Sequence, residues 1–330
     1  MRFLARKLGF YLVAAWLAIT VNFFLPRFIP GNPVQILIAR MQQADPTPPS
    51  EAATLTKLLG LGSGNIFAQY WQYLDSLVHF NFGLSVTDFP EPVSTEISSS
   101  IFWTLILVGT ATIISFVLGI ALGAVTGWKR GSRLDALVPA TTLLTAMPYF
   151  WFGLILVYVL ATNVFHVLPA SNGYDTSAGL TPGFNGPFIA SAVEHAILPA
   201  LSIIVTSIGG WLLGMRNMMV ATLSEDYVVA AEAKGLKPSR IMLGYAARNA
   251  VLPSVSGFAI SLGFVVSGAI AMEYVFSYPG LGFKLVTAVS NNDYPLMQGI
   301  FLVITIAVLG ANLVVDLLHG FIDPRTRITR

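Results

Sequence analysis

The sequence predicts an all-α polytopic membrane protein with six transmembrane helices and both termini on the cytoplasmic side. Three observations lead there. First, 10% of the 330 residues are charged and 55% are hydrophobic, with a mean hydropathy of +0.72; a soluble chain carries about 25% charged residues. Second, six apolar stretches are each long enough to span about 30 Å of hydrocarbon, which takes about 20 helical residues. Third, lysine and arginine alternate in density between the loops, as the positive-inside rule requires. So little charge leaves too little polar surface to cover a water-soluble particle of this size. A soluble enzyme, a disordered protein and a nucleic-acid binder are thereby excluded. The chain has no cysteine, hence no disulfide, thiolate metal site or cysteine nucleophile. Its histidines, His79, His166, His195 and His319, are scattered and form no ligand cluster.

The stretches are taken in order. The first, Leu8–Ile29, follows Arg2, Arg6 and Lys7 and ends in Pro-Arg. It exceeds the about 7–15 apolar residues of a signal peptide and reads as a retained anchor. The next segment, about Pro30 to Glu96, is polar at Met41–Glu51 and amphipathic at Ile66–Phe80. It reads either as a surface-lying cover for the outer end of the bundle or as a docking surface for an external partner. Thr104–Gly127 is the second span. Gly119, Gly123 and Gly127 recur every four residues on it, so one face permits close approach of another helix. Ala136–Phe165 is the third; it is too long to lie wholly in lipid and must tilt or emerge. His166–His195, rich in Gly, Ser, Asn and Pro, reads as a loop. Ala196–Met215, Val251–Phe276 and Met297–Leu318 complete the set, and Gly210 and Gly214 repeat the packing spacing on the fourth. Helices are required because backbone groups in lipid must pair within their own segment, and no barrel-type alternation is present. With the N-terminus inside, 14 of the 18 lysines and arginines lie on the cytoplasmic side.

The most informative loop is the cytoplasmic one between the fourth and fifth spans. It contains Ser224-Glu225-Asp226-Tyr227-Val228-Val229-Ala230-Ala231-Glu232-Ala233-Lys234-Gly235. Ser224 is placed to cap a helix whose first turn carries the acids that the helix dipole favours. Gly235 is placed to end it in a left-handed conformation. A second helical stretch, Ser239–Asn249, follows Pro238. The loop therefore reads as a short helix, a turn and another helix, a lever that docks into a cytoplasmic partner.

Charges inside the spans are almost absent; Glu273 and Asp316 fall near span ends. A transporter driven by an ion gradient keeps ionisable groups along its path, so an ion-coupled secondary transporter is the weaker alternative. The chain has no G-x-x-x-x-G-K-[ST] phosphate loop. Any ATP is bound by another subunit.

The loop resembles the signature of membrane subunits of ATP-binding-cassette importers, specifically the first, or B-type, permease of the dipeptide/oligopeptide family. That pattern runs D-Y-V-x-x-A-x-A-K-G-L and then R-N-A-x-L-P. Here it reads Asp226-Tyr227-Val228, Ala231, Ala233-Lys234-Gly235-Leu236, then Arg248-Asn249-Ala250 and Leu252-Pro253. The glutamate that opens the wider importer signature is replaced by Val229, as is usual in the peptide branch. Further matches lie in order along the chain. They are Pro30-Gly31-Asn32-Pro33-Val34, Phe82-Gly83-Leu84-Ser85, Met147-Pro148-Tyr149-Phe150-Trp151, Leu198-Pro199-Ala200, Glu273-Tyr274-Val275-Phe276-Ser277-Tyr278-Pro279-Gly280-Leu281-Gly282, Asp293-Tyr294-Pro295 and Asp323-Pro324-Arg325-Thr326-Arg327.

The resemblance implies a type I importer permease fold in a prokaryotic cytoplasmic membrane. Its parts would be a first helix with its external segment (1–97), a five-helix core (98–323) holding the coupling loop (216–250), and a cytoplasmic tail (324–330). It implies a related permease as partner, two ATPase subunits or one two-domain ATPase, and an external solute-binding protein. The chain would not be an enzyme and would hold no cofactor; ATP and magnesium would sit in the partner subunits. Glu225, Asp226, Tyr227, Ala230, Ala231, Glu232, Lys234 and Gly235 would couple to an ATPase. Arg325 and Arg327 would anchor the tail at the inner surface. Tyr278, Pro279, Gly280 and Gly282 would form an external gate. Cargo would be di- or oligopeptides, with oligosaccharides or nickel chelates as the alternative.

Overall fold

The computed structural model of the chain describes residues 2–28, 38, 65–267 and 270–322. The Pro30–Val34 motif, the polar stretch Met41–Glu51 and the tail with Arg325 and Arg327 lie outside the described residues. The described chain is helical, with no named strand. Its helices are α1 (Arg2–Phe24), α2 (Ile66–Val78), α3 (Val93–Trp128), α4 (Leu137–Thr145), α5 (Tyr149–Leu156), α6 (Gly186–Thr222), α7 (Asp226–Ala233), α8 (Leu252–Gly263), α9 (Ile270–Val275), α10 (Leu281–Ser290) and α11 (Tyr294–Ile322). Arg6–Phe24, Val93–Trp128, Gly186–Thr222 and Tyr294–Val314 are each long and apolar enough to cross a membrane.

The third, fourth and fifth spans differ from the sequence-based expectation, and α3 also starts early, at Val93. The fourth span begins ten residues early. Asn185 accepts a hydrogen bond from Phe188 N (3.0 Å) and starts α6 at Gly186, inside the segment expected to be loop. Hydropathy passes over this turn because Ser191, Glu194 and His195 are polar, but the cap and a proline in the first turn suffice to start a helix. The third span is broken: α4 and the helical run Tyr149–Thr162 meet at a bend of 100°. Pro148 lacks the N–H that would continue α4, and its fixed φ begins α5. The fifth span is also interrupted, with α8 ending at Gly263, a 3-10 turn over Val265–Ser267, and α9 beyond it.

The chain divides into two compact units. The first comprises Met1–Thr104, Val266–Tyr274 and Pro279–Leu313. Its core joins Val93 and Ile97 of α3 to Leu281, Leu285 and Ala288 of α10 and to Tyr294, Leu296, Met297 and Ile300 of α11. Asp293 is fully buried and starts α11. Its carboxylate accepts from Leu296 N (3.1 Å), Ser85 Oγ (2.5 Å) and Thr87 N (2.7 Å), and so ties the Phe82–Ser85 motif to the helix. A buried carboxylate with three donors is well compensated.

The second unit comprises Leu105–Val265, Val275–Tyr278 and Val314–Arg330. In it α3 lies against α6 along the glycine stripe. A Cβ on Gly119 would stand 2.5 Å from Trp211 Cβ. One on Gly123 would stand 2.5 Å from Leu212 O and one on Gly127 2.6 Å from Met219 Cβ. Phe116, Trp211 and Phe258 pack around this contact, with Phe116 stacked on Phe258 at 4.1 Å. Gly210 and Gly214 make no such contact within this chain: a Cβ on either meets nothing within 4 Å. The close approach is made by Gly209, whose Cβ would stand 2.4 Å from Thr141 O. Consecutive helical residues point about 100° apart, so repeated spacing identifies a face but not which face is covered.

Candidate functional site

The loop after α6 folds as a short helix. Glu225 is its N-cap residue, with extended backbone but no side-chain cap bond, and α7 runs from Asp226 to Ala233. Ser224, expected to cap, instead donates its hydroxyl back to Ala221 O (2.8 Å) at the end of α6. Gly235 has φ +71°, and Leu236 N returns to Ala231 O (3.4 Å), so the helix closes with a left-handed residue as its sequence requires. Beyond Pro238 the chain turns through a π-helical segment, Ile241–Ala247, into Arg248–Ala250.

Burial separates the residues of α7 into two sets. Val228 and Ala231 are buried against Ile241, with Trp128, Leu223, Leu236 and Tyr245 around them. Ala231 is therefore a packing residue of its own chain, and its methyl is not available for docking. Glu225, Asp226, Tyr227, Val229, Ala230, Glu232, Lys234 and Gly235 are all exposed. The exposed set mixes an aromatic, two small residues and charges of both signs on a short rigid rod. The rod is pinned to α3 through Trp128 and to the π-helical segment through Ile241.

Beside this loop Arg216, near the end of α6, grips Asp135. Arg216 Nε donates to Oδ1 at 2.9 Å and an Nη donates to Oδ2 at 3.1 Å. Gly131 N adds a third bond at 3.2 Å. These bonds, the guanidinium's first, hold the Asp135 carboxyl below the ordinary aspartate range. The fork joins α6 to the turn before α4, in a geometry only arginine makes.

The outer turn. Glu273 on α9 is fully buried. Its carboxylate accepts from Thr104 Oγ1 (2.8 Å) and from Gly282 N (2.6 Å), and Thr104 Oγ1 in turn accepts from Leu281 N (2.8 Å). Pro279–Gly282 thus wraps the carboxylate and closes it off. A Cβ on Gly280 would lie 2.4 Å from Glu273 Cδ, and one on Gly282 2.5 Å from Ile270 Cα. Of the residues expected to form a gate, Gly280 and Gly282 are the cradle of Glu273. Tyr278 is buried, and Ser277 before it has φ +47°. Sequence reasoning placed Glu273 near a span end and said nothing of its burial; the turn that folds back over it is what buries it. The available signal was the glycine spacing seven and nine residues after an acid inside an apolar run. Its partner, Thr104, carries no signal beyond standing at the edge of a span.

On the same unit Lys284 of α10 bridges Asp88 Oδ2 (3.0 Å) and Glu96 Oε2 (2.5 Å). Burial by itself would lower its pKa; the hydrogen bonds to Glu96 and Asp88 outweigh burial and hold the ammonium above the ordinary lysine value. The aromatic run Tyr149–Phe152 is mostly exposed. Among the described residues no cluster of His, Asp and Glu has metal-binding geometry.

Among the described residues, several helices long and apolar enough to cross a bilayer define a multi-pass helical membrane protein. Residues 119–328 match the family described as binding-protein-dependent transport system inner membrane component, and the chain belongs to that family. It is 35% identical to the di/tripeptide transport system permease protein DppB of Pseudomonas aeruginosa (strain UCBPP-PA14) over 99% of each chain. It is 33% identical to the dipeptide transport system permease protein DppB of Escherichia coli (strain K12), again over 99% of each. To the oligopeptide transport system permease protein AppB of Bacillus subtilis (strain 168) it is 30% identical over 94% of each. It is an inner-membrane, multi-pass permease subunit, and sequence had pointed to the same family.

Proposed function

We infer that this chain is the B-type membrane subunit of an ATP-driven importer of di- or oligopeptides. In the bilayer it crosses six times with both termini in the cytoplasm. The third crossing is made by the bent pair α4–α5, and the fifth by α8 and α9 together. Fourteen of the 18 basic residues then lie inside. The complex contains a related permease, two ATPase subunits or one two-domain ATPase, and an external solute-binding protein. ATP and magnesium are held by the ATPases.

The observation that carries the mechanism is α7: a short helix with a buried inner face and an exposed outer face of Asp226, Tyr227, Ala230 and Glu232. A rod fixed to α3 and to the π-helical segment passes displacement to those elements instead of absorbing it. ATP binding closes the ATPases and moves the rod; hydrolysis resets it. The energy is the differential binding of one rigid element to two states. The cargo assignment rests on the relatives, which are named for dipeptides, tripeptides and oligopeptides.

The test is ATPase activity of the whole assembly in lipid with its binding protein, with short peptides and short oligosaccharides added in parallel. Stimulation by peptides alone supports both mechanism and cargo. Stimulation by sugars moves the cargo and keeps the mechanism. An assembly that purifies without any ATPase overturns the reading.

A further inference from the structure

The surface of α2 is divided into three stripes. One faces α1. Thr20 Oγ1 and the Tyr70 hydroxyl are 2.7 Å apart, Asn22 donates to the Tyr73 hydroxyl at 3.2 Å, and Arg27 donates to Gln69 Oε1 at 3.2 Å. The rings of Tyr70 and Tyr73 pack on Phe23 at 5.1 and 5.4 Å. The exposed remainder splits in two. Phe67, Trp71 and Val78 are 70%, 69% and 75% exposed and share one line along the helix. Ala68, Gln72, Asp75 and His79, also exposed, share a second line about 100° round the axis.

These contacts lie toward one end of α1. On α2 they come from residues 69–73, about one turn. On α1 and the 3-10 turn after it they run from Thr20 to Arg27. α2 thus packs at the end where α1 leaves its apolar run. At that same end Val21, Leu25 and Phe28 of the α1 segment are exposed. α2 therefore packs where an apolar span ends, and it carries an exposed apolar stripe of its own, Phe67, Trp71 and Val78.

We propose that α2 is an interfacial helix lying in the headgroup layer of the leaflet where α1 emerges. Phe67, Trp71 and Val78 turn toward the acyl chains, and Ala68, Gln72, Asp75 and His79 turn toward water. A helix with one apolar and one polar exposed edge is held at that depth by both. Trp71 suits the boundary, since its indole has an apolar body and one N–H that reaches water. The partner is the lipid surface itself, whatever solute is transported.

The absence of cysteine from the chain gives a direct test. Single cysteines at Phe67, Trp71, Val78, Ala68, Gln72 and Asp75 are spin-labelled in the full assembly in lipid vesicles. Collision with oxygen, which concentrates in lipid, is compared with collision with a water-soluble nickel chelate. The expected result is a several-fold excess of oxygen accessibility at 67, 71 and 78 and the reverse at 68, 72 and 75. Nickel accessibility at all six positions overturns the proposal, because the helix then stands off the membrane. So does an apolar stripe that is open to the chelate until the external binding protein is added, which makes it a protein docking surface. Should Trp71→Cys fail to assemble, Phe67→Cys and Val78→Cys report the same stripe.

Discussion

The carboxyl carbon of Glu273 lies 2.4 Å from where a Cβ on Gly280 would stand. The glycine is thus the space the buried acid occupies. A Gly280→Ala chain must push aside a carboxylate that Thr104 and Gly282 hold. Gly282→Ala meets the backbone of Ile270 at 2.5 Å, which has no side-chain torsion to turn. Overpacking costs about 1–3 kcal/mol, so both variants melt lower than the parent in detergent, Gly282→Ala lower still. Glu273→Ala also melts lower, by about 1–3 kcal/mol for each donor left unpaired. Parental melting of Gly282→Ala removes the cradle.

The glycine stripe of α3 predicts an asymmetry. Gly123→Ala inserts a methyl 2.5 Å from Leu212 O and 2.7 Å from Met215 Cβ, and lowers the melting temperature of the isolated chain. Gly210→Ala and Gly214→Ala meet nothing. Each removes a helical glycine, which stabilises by up to about 1 kcal/mol. Thermal melts of the three variants side by side decide it. A loss at Gly210→Ala confined to the assembled complex places a partner helix on that face.

Two ion pairs make stability depend on pH at opposite ends of the range. Asp135 is held below its unfolded pKa by Arg216, so its contribution is present above about pH 3.9 and is lost as pH falls through the folded value. Lys284 is held above its unfolded pKa of about 10.4, so its contribution is present below that pH and is lost as pH rises through the folded value. Melting curves across pH should therefore flatten on the acid side in Asp135→Asn and on the alkaline side in Lys284→Met. A variant profile parallel to the parent's at its own end refutes the assignment for that pair.

Gly235 closes α7 at φ +71°, and the proposed lever role of that helix rests on this stop. A β-branched residue is strained there by about 1–3 kcal/mol, so Gly235→Val changes how α7 ends, with open space around the new Cβ. The expected result is ATP hydrolysis that continues without transport, in a protein that still reaches the membrane. Normal transport by Gly235→Val counts against the lever. Val228→Ala tests the inner face independently: it empties a buried site beside Ile241 and loosens coupling in the same direction.

Much of this molecule was legible in its residues because membrane folding is governed by local rules. Low charge, apolar runs and the placement of Arg and Lys are properties of the chain itself, and lipid enforces them segment by segment. The helix Asp226–Ala233 and its stop at Gly235 follow from local backbone preferences. So does the amphipathic character of Ile66–Phe80. Family membership was also readable, since short motifs kept their order along the whole chain.

Other features required the tertiary structure. Composition says that Gly119 and Gly210 both permit close approach; only the path of α6 decides that Gly119 is covered while Gly209, and not Gly210, meets α4. Ala230 and Ala231 are adjacent and alike, yet one is exposed and the other is sealed against Ile241. Glu273 and Thr104 are 169 residues apart, and no pattern in the chain joins them. Whether an acid at the edge of an apolar run meets water or a buried hydroxyl depends on where a turn folds back. Segment character is a local property of sequence; burial is a relation between segments, and the fold alone supplies it.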